Sequence, residues 1–435
     1  MSSALANRIS QDHAAVADSL PPGVISSDRR RTALAAIETH GLPSARDENW
    51  KYANLRPLDK VRFTPTRDCV PTTLQASQLP PPLAGYARYT FVDGVFAPDL
   101  SRPAALVGVT VSSLRLQPEA HRSSHAAPAG ADARFALLNE AFATDGASIR
   151  VAAGTDCETC LEIVFASTVE ATAGASYPRI ELKVEAGARF GLVERHLSVS
   201  SDANFVNGVV TIELACGASV QHYRVQQMGA RAVWLDTLSA SLAQDSKYRL
   251  HSVTLGALSA RSSVNIQLSG VRADAGVYAV SVADRQQNQD AFVLVDHLVP
   301  GAHSEQTFRG VAAGRARVAF NGKVVVRKDA HGTDSRQSLK GLLAGPEAEI
   351  DVRPQLEIYT DDVKCSHGAT AGKLDDDMLF YLLSRGLDRD TAQRLLKWAF
   401  LEDVVSRIQV PELRRQIEQS LAGHLNEAAA LPEWL

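Results

Sequence analysis

A mainly β solenoid with helical regions at both ends is the fold that this sequence predicts. Three observations carry that reading. From about residue 148 to 363, apolar and polar side chains alternate with a period of two, as in Ile180-Glu181-Leu182-Lys183-Val184. Such alternation marks strands with one buried face. Turn residues also recur at Gly187, Gly217, Asp245, Asp274, Gly301 and Asp329, spaced 30, 28, 29, 27 and 28 residues apart. A repeat of that length marks stacked structural units. With two strands per unit, each coil of a parallel β-helix buries Val, Leu and Ile against the next; a sandwich has no reason to keep the spacing. Outside this span the apolar spacing changes to three and four, which is helical.

The resulting division is an N-terminal, largely helical region (1–147), a parallel β-helix core (148–370) and a C-terminal helical domain (371–435). Ser26-Ser27-Asp28 can cap a helix that runs to His40 and stops at Gly41-Leu42-Pro43. Leu79-Pro80-Pro81-Pro82 reads as a linker or rigid turn. Phe135 to Phe142 has helical spacing and precedes the turn at Asp145-Gly146. After the core, Asp375-Asp376-Asp377 places negative charge at a helix start, where the dipole favours it. Met378, Leu379, Leu382 and Leu383 form its apolar stripe, and Gly386 ends it. Asp388 caps a second helix, with Ala392, Leu395, Leu396, Ala399, Phe400, Val404 and Ile408 on one side. Pro411 opens a third, carrying Leu413, Ile417, Leu421 and Leu425.

Composition excludes several functions. At 435 residues with 45% hydrophobic and 22% charged side chains, the chain is an ordinary globular protein, too long for one core unless elongated or repetitive. A net charge of −4 gives no footprint for nucleic acid. No apolar run reaches membrane-spanning length, and the N-terminus lacks a secretory pattern. Five cysteines do not form a disulfide framework, so a reducing cytoplasm is the expected location. Gly368-Ala369-Thr370-Ala371-Gly372-Lys373-Leu374 fails as a P-loop: it is one residue short between its glycines and has Leu374 where Ser or Thr must hold magnesium. Asp361 and Asp362 are adjacent, so in a strand they face opposite ways and make a poor acid/base pair for a carbohydrate enzyme.

The most informative stretch is Asp361-Asp362-Val363-Lys364-Cys365-Ser366-His367-Gly368-Ala369-Thr370. In a strand Cys365 and His367 share a face, presenting sulfur and nitrogen side by side. That pair suits zinc, copper or iron–sulfur chemistry, and equally describes a buried thiol beside a hydrogen-bonded histidine. Cys157-Glu158-Thr159-Cys160 is a second thiol pair, but no further ligand pair follows at zinc spacing and no βαβ context supports a redox role, so a structural or incidental role is expected. His196, His222, His251, His297, His303 and His331 are scattered, each ordinarily a hydrogen-bonded residue. His222 and His251, 29 apart, are candidates for neighbours on successive coils.

The run Pro354-Gln355-Leu356-Glu357-Ile358-Tyr359 followed by DDVKCSHGAT, then Leu379-Phe380-Tyr381-Leu382 and Ser384-Arg385-Gly386, resembles the signature of the SufB/SufD family of iron–sulfur cluster assembly, on the SufD side. Glu48-Asn49-Trp50-Lys51-Tyr52, Asn321-Gly322-Lys323 and Leu339-Lys340-Gly341-Leu342-Leu343 resemble further family segments. The resemblance covers most of the chain and is most specific from 318 to 405. It implies a right-handed parallel β-helix and a non-ATPase scaffold acting with SufB and the ATPase SufC. It implies pairing with SufB along the β-helix edge, and SufC docking on the C-terminal helical domain, where Trp398, Phe400 and Leu401 are the candidates. His367, with Cys365 beside it, is the implied position of nascent cluster assembly, a transient metal site completed by SufB. A single thiol in the signature fits SufD better than the cysteine-richer SufB, and implies that no cluster is held by this chain alone. Reduced flavin is implied by resemblance only, since no G-x-G-x-x-G is present. A homodimer through the same edge is expected when the chain is alone. Two rival readings are a stand-alone metal enzyme and a purely structural solenoid.

Overall fold

The computed structural model describes residues 3–66, 74–116, 133–168 and 173–425. From Asn204–Leu214 to Thr333–Leu343 successive strands alternate between two sheets, so each pairs in parallel with the second one before it and the second one after. Ser219–Met228 lies between Arg189–Ser198 and Lys247–Gly256. Val233–Leu242 lies between Asn204–Leu214 and Ser259–Leu268. Among the described residues the two sheets contain 11 and 10 strands. The inward rows, including Leu192, Val220, Leu250, Val277, Phe308 and Leu339, form one continuous core along the axis. The β-solenoid with helices at both ends is the architecture the period-two pattern and the repeat predict.

The corners explain the repeat and also revise it. Gly187, Gly217, Asp245 and Gly301 hold φ between 58° and 68°. Each donates its N–H to a carbonyl of the next coil, at 2.8–3.0 Å. At the two remaining corners the left-handed residue is Arg272 (φ 59°) or Gly332 (φ 70°); Asp329 lies in a turn as predicted, three residues before Gly332, whereas Asp274 does not. Asp274 instead opens the strand Asp274–Ala283. A corner needs one positive φ and one free N–H, and coil lengths vary enough to move that requirement by two or three residues.

The N-terminal region begins as the sequence implies. Helix Ser27–His40 is capped by Ser26, whose Oγ accepts from the Arg29 N–H, and Arg134–Phe142 is helical. Between them the chain turns to strand. Ala87–Val92 pairs in parallel with Asp156–Ser167, and Val109–Ser113 pairs antiparallel with Gly146–Val151. These strands cover the first coil's open edges, whose backbone groups otherwise lack partners. Trp50 ties this region to the solenoid: it is buried beside Phe135, and the Arg261 guanidinium lies 4.4 Å over its ring.

The C-terminal helices are Asp376–Ser384, Arg389–Val405 and Pro411–His424. The latter two fold back along the outer face of one sheet. Trp398, Leu401, Val405, Leu413 and Ile417 pack there against Tyr223, Val253, Tyr278, Val280 and Val311. The outward residues of these strands are themselves apolar, so the sheet needs cover on both faces.

Candidate functional site

The last strand, Val363–Gly372, pairs with Thr333–Leu343 on one side, and no described strand lies beyond it. The register sets Cys365 opposite Ser335 and His367 opposite Gln337. Both signature side chains therefore stand on inward rows of the solenoid, at its open end. Cys365 is half-buried, packed near Val324 and Val326; His367 is exposed. The same-face expectation for this pair holds because the segment is extended throughout.

Behind each residue a polar row runs into the protein. His297 Nε2 meets Ser304 Oγ at 2.9 Å, and Ser304 Oγ meets Ser335 Oγ at 2.9 Å, the row that ends at Cys365. Gln337 Nε2 donates to Gln306 Oε1 at 3.3 Å and to the Gly322 carbonyl at 2.9 Å, in the row that ends at His367. Sequence reasoning missed Ser304, Gln306, Ser335 and Gln337. Their signal was the return of a polar inward residue one coil before Cys365 and His367. Gly322 makes room for this row, since a Cβ there would sit 2.4 Å from Gln306 Oε1.

Burial pushes the Cys365 thiol up, with Asp334 adding to the shift and a hydrogen bond from the Ser335 backbone opposing it. His297 is pushed down to about 4 by burial. In the isolated chain the site thus presents a protonated thiol beside an accessible imidazole. A thiol and an imidazole offer two ligands of the kind that bind transition metals, fewer than the four that such a centre ordinarily takes.

The other candidates fall elsewhere. His222 and His251 are not neighbours: His222 pairs with Leu250 and faces inward, while His251 pairs with Tyr223 and faces outward beneath the C-terminal helices. The interval between these two strands is 28 residues, and one residue of slip exchanges the faces. His251 lies between the rings of Tyr223 and Tyr278, at 5.0 and 5.1 Å. His196 bonds Glu194, and His303 bonds Asp274. Cys157 and Cys160 lie at a register shift in Asp156–Ser167, with their sulfurs adjacent.

Of the docking candidates, Leu401 is fully buried and Trp398 is 7% exposed, both against the solenoid. Phe400 is half-buried, with the Arg309 guanidinium 6.0 Å from its ring. Among the described residues of the C-terminal helices, the exposed large apolar side chains are instead Met378, Phe380 and Tyr381 on the preceding helix. No described helix is long and apolar enough to cross a membrane.

Residues 166–400 match the model for the SufBD core domain of the SUF iron–sulfur cluster assembly system, and residues 9–163 match the SufBD N-terminal region. The iron–sulfur cluster assembly protein SufD of Escherichia coli is 28% identical over 91% of this chain and 92% of its own length. An iron–sulfur cluster assembly SufBD family protein of Synechocystis is 27% identical over 91% and 90%. One from Mycobacterium tuberculosis is 23% identical over 89% and 91%.

Proposed function

This chain belongs to the SufBD family of iron–sulfur cluster assembly proteins, and we propose that it is the SufD-type scaffold subunit, a non-ATPase that works in the cytoplasm with SufB and the ATPase SufC. The observation that supports this reading is the joint position of Cys365 and His367 on inward rows of a strand with no described neighbour on its outer edge. A partner's strand that adds to this edge brings its own ligands alongside both residues, a case of β-augmentation. The cluster is cargo, formed across that interface with His367 as the principal ligand from this side and Cys365 as the second. Mixed nitrogen and sulfur ligation across a separable interface opens more readily than four thiolates held by one chain.

SufC docking falls to the helical domain. Its best surface is the helix Asp376–Ser384, where Phe380 is 72% exposed and flanked by Met378 and Tyr381. Aromatic and methionine side chains of this kind anchor protein interfaces. When the chain is alone, a second copy takes the free edge.

The test is co-expression with candidate SufB and SufC, purified through a tag on this chain. A stoichiometric complex with ATP-dependent cluster assembly, reduced by His367→Ala without loss of the complex, supports the proposal. Recovery of this chain alone, with intrinsic turnover, replaces it with the metal-enzyme reading.

A further inference from the structure

Far from the open end, the solenoid interior contains a second cluster of ligand-type side chains. Glu194 and His196 come from Arg189–Ser198, His222 and Arg224 from Ser219–Met228, and Asp236 from Val233–Leu242. All are buried. Coordinating atoms of Glu194, His196 and Asp236 lie within 4.8 Å of one another. Ligands bound about 2.0–2.2 Å from a single ion stand roughly 3–4.4 Å apart, so a small contraction suffices.

Each carboxylate is held from behind, which leaves one oxygen facing the group. His222 Nε2 bonds Glu194 Oε2 at 2.8 Å, while His222 Nδ1 meets Tyr248 Oη at 2.9 Å. The buried Tyr248 phenol keeps its proton and donates it, so the His222 Nε2–H donates to Glu194. Arg224 holds Asp236 through Oδ2 and also reaches Ser262 Oγ at 2.6 Å. Glu194 Oε1 faces His196 Nε2 at 2.6 Å. Asp236 Oδ1 has no hydrogen-bond partner, although the residue is only 2% exposed. Outer partners that fix first ligands in this way are a regular feature of metal sites.

Two further observations point to a ligand between these groups. Gly208 supplies room: a Cβ built there would lie 2.8 Å from Asp236 Oδ1 and 4.0 Å from His196 Cε1. The His196 ring is also clamped, stacked on Phe165 at 4.9 Å and edge-on to Trp234 at 5.5 Å. Charge argues the same way, because two carboxylates face one guanidinium in an apolar interior, and the remaining negative charge needs a cation or a proton.

We propose that Glu194, His196 and Asp236 form a buried site for one divalent first-row transition metal, iron(II) or zinc(II), with His222 and Arg224 as positioning residues. One imidazole and two carboxylates suit these ions better than calcium or magnesium, which take all-oxygen sites. Binding replaces the proton shared between His196 and Glu194 with the metal. The site is independent of the cluster assembly proposed at Cys365 and His367.

The test is metal content of the full chain, expressed in medium supplemented in turn with iron, zinc or cobalt, purified without oxygen and desalted. About one ion per chain is expected, with cobalt giving the visible bands of a nitrogen–oxygen site. Cys365→Ala with His367→Ala should retain that ion. Asp236→Asn should lose it, about tenfold or more in occupancy. Gly208→Ala keeps every ligand, lies in extended backbone with ordinary φ, and should lose the ion by filling its space; circular dichroism confirms that both variants fold. A metal-free wild type, an ion that departs with Cys365 and His367, or occupancy unchanged in both Gly208→Ala and Asp236→Asn overturns the proposal.

Discussion

Cys365 stands directly opposite Ser335 in the register of the last two strands of its sheet, and the Ser335 Oγ is hydrogen-bonded inward to Ser304. The thiol therefore ends a polar row but gains no cation from it. Burial, the largest influence, holds it protonated. Cys365 in the isolated chain should alkylate slowly at pH 7, with a reactivity midpoint above that of a free cysteine, read by mass spectrometry with Cys365→Ser as the blank. A midpoint below that of free cysteine would mean that a positive group reaches the site, and that the thiol is active before any partner strand adds to this edge.

Leu401 and Phe380 should separate stability from docking. Leu401→Ala opens a cavity between the second C-terminal helix and the sheet, costing about 2–5 kcal/mol in urea unfolding. Phe380→Ala removes an exposed side chain, so stability should change by less than about 0.5 kcal/mol. SufC capture by pull-down should nevertheless fall sharply. If Phe380→Ala captures SufC as well as the wild type does, the docking proposed for this helix fails.

Trp50 should prove structural. It is buried between Phe135 and the Arg261 guanidinium, and Arg261 in turn pairs with buried Asp290. Trp50→Ala should cost about 3–5 kcal/mol and expose the N-terminal helices to limited proteolysis. Arg261→Ala should cost a similar amount, because it leaves the Asp290 carboxylate buried and unpaired. Unfolding curves unchanged for both would remove the Trp50–Arg261 contact from the account of stability.

The parts that could be read from the sequence were those set by local pattern. Period-two alternation located the strands, Ser26 located its helix, and the i, i+2 rule placed Cys365 and His367 on one face. What escaped was set by register between coils. Intervals between coils vary by a few residues, and one residue exchanges the faces, which is why His251 points away from His222. The Ser335 and Gln337 rows depend on the same alignment. The placement of Trp398 and Leu401 escaped for another reason: an apolar helical stripe does not reveal which surface covers it, and the outward Val253 and Val280 that receive them look like core.

His297 should make the fold acid-sensitive. It is fully buried, bonded to Ser304, and pushed from 6.5 to about 4 by burial. The native state then binds fewer protons than the unfolded chain between those values. The stability this group contributes is complete above pH 6.5 and is lost as pH falls toward 4, on the order of 3 kcal/mol in all. His251, pushed down to about 3, acts in the same direction. Asp236, pushed up to about 6, acts oppositely below that pH, so the wild-type curve alone cannot assign the loss. His297→Gln isolates it, since the amide keeps a group near Ser304 that does not titrate. Melting temperature should fall between pH 6.5 and 4.5 in the wild type and fall less in the variant. Parallel curves would show that His297 charges without cost, and that the row leading to Cys365 admits a proton at neutral pH.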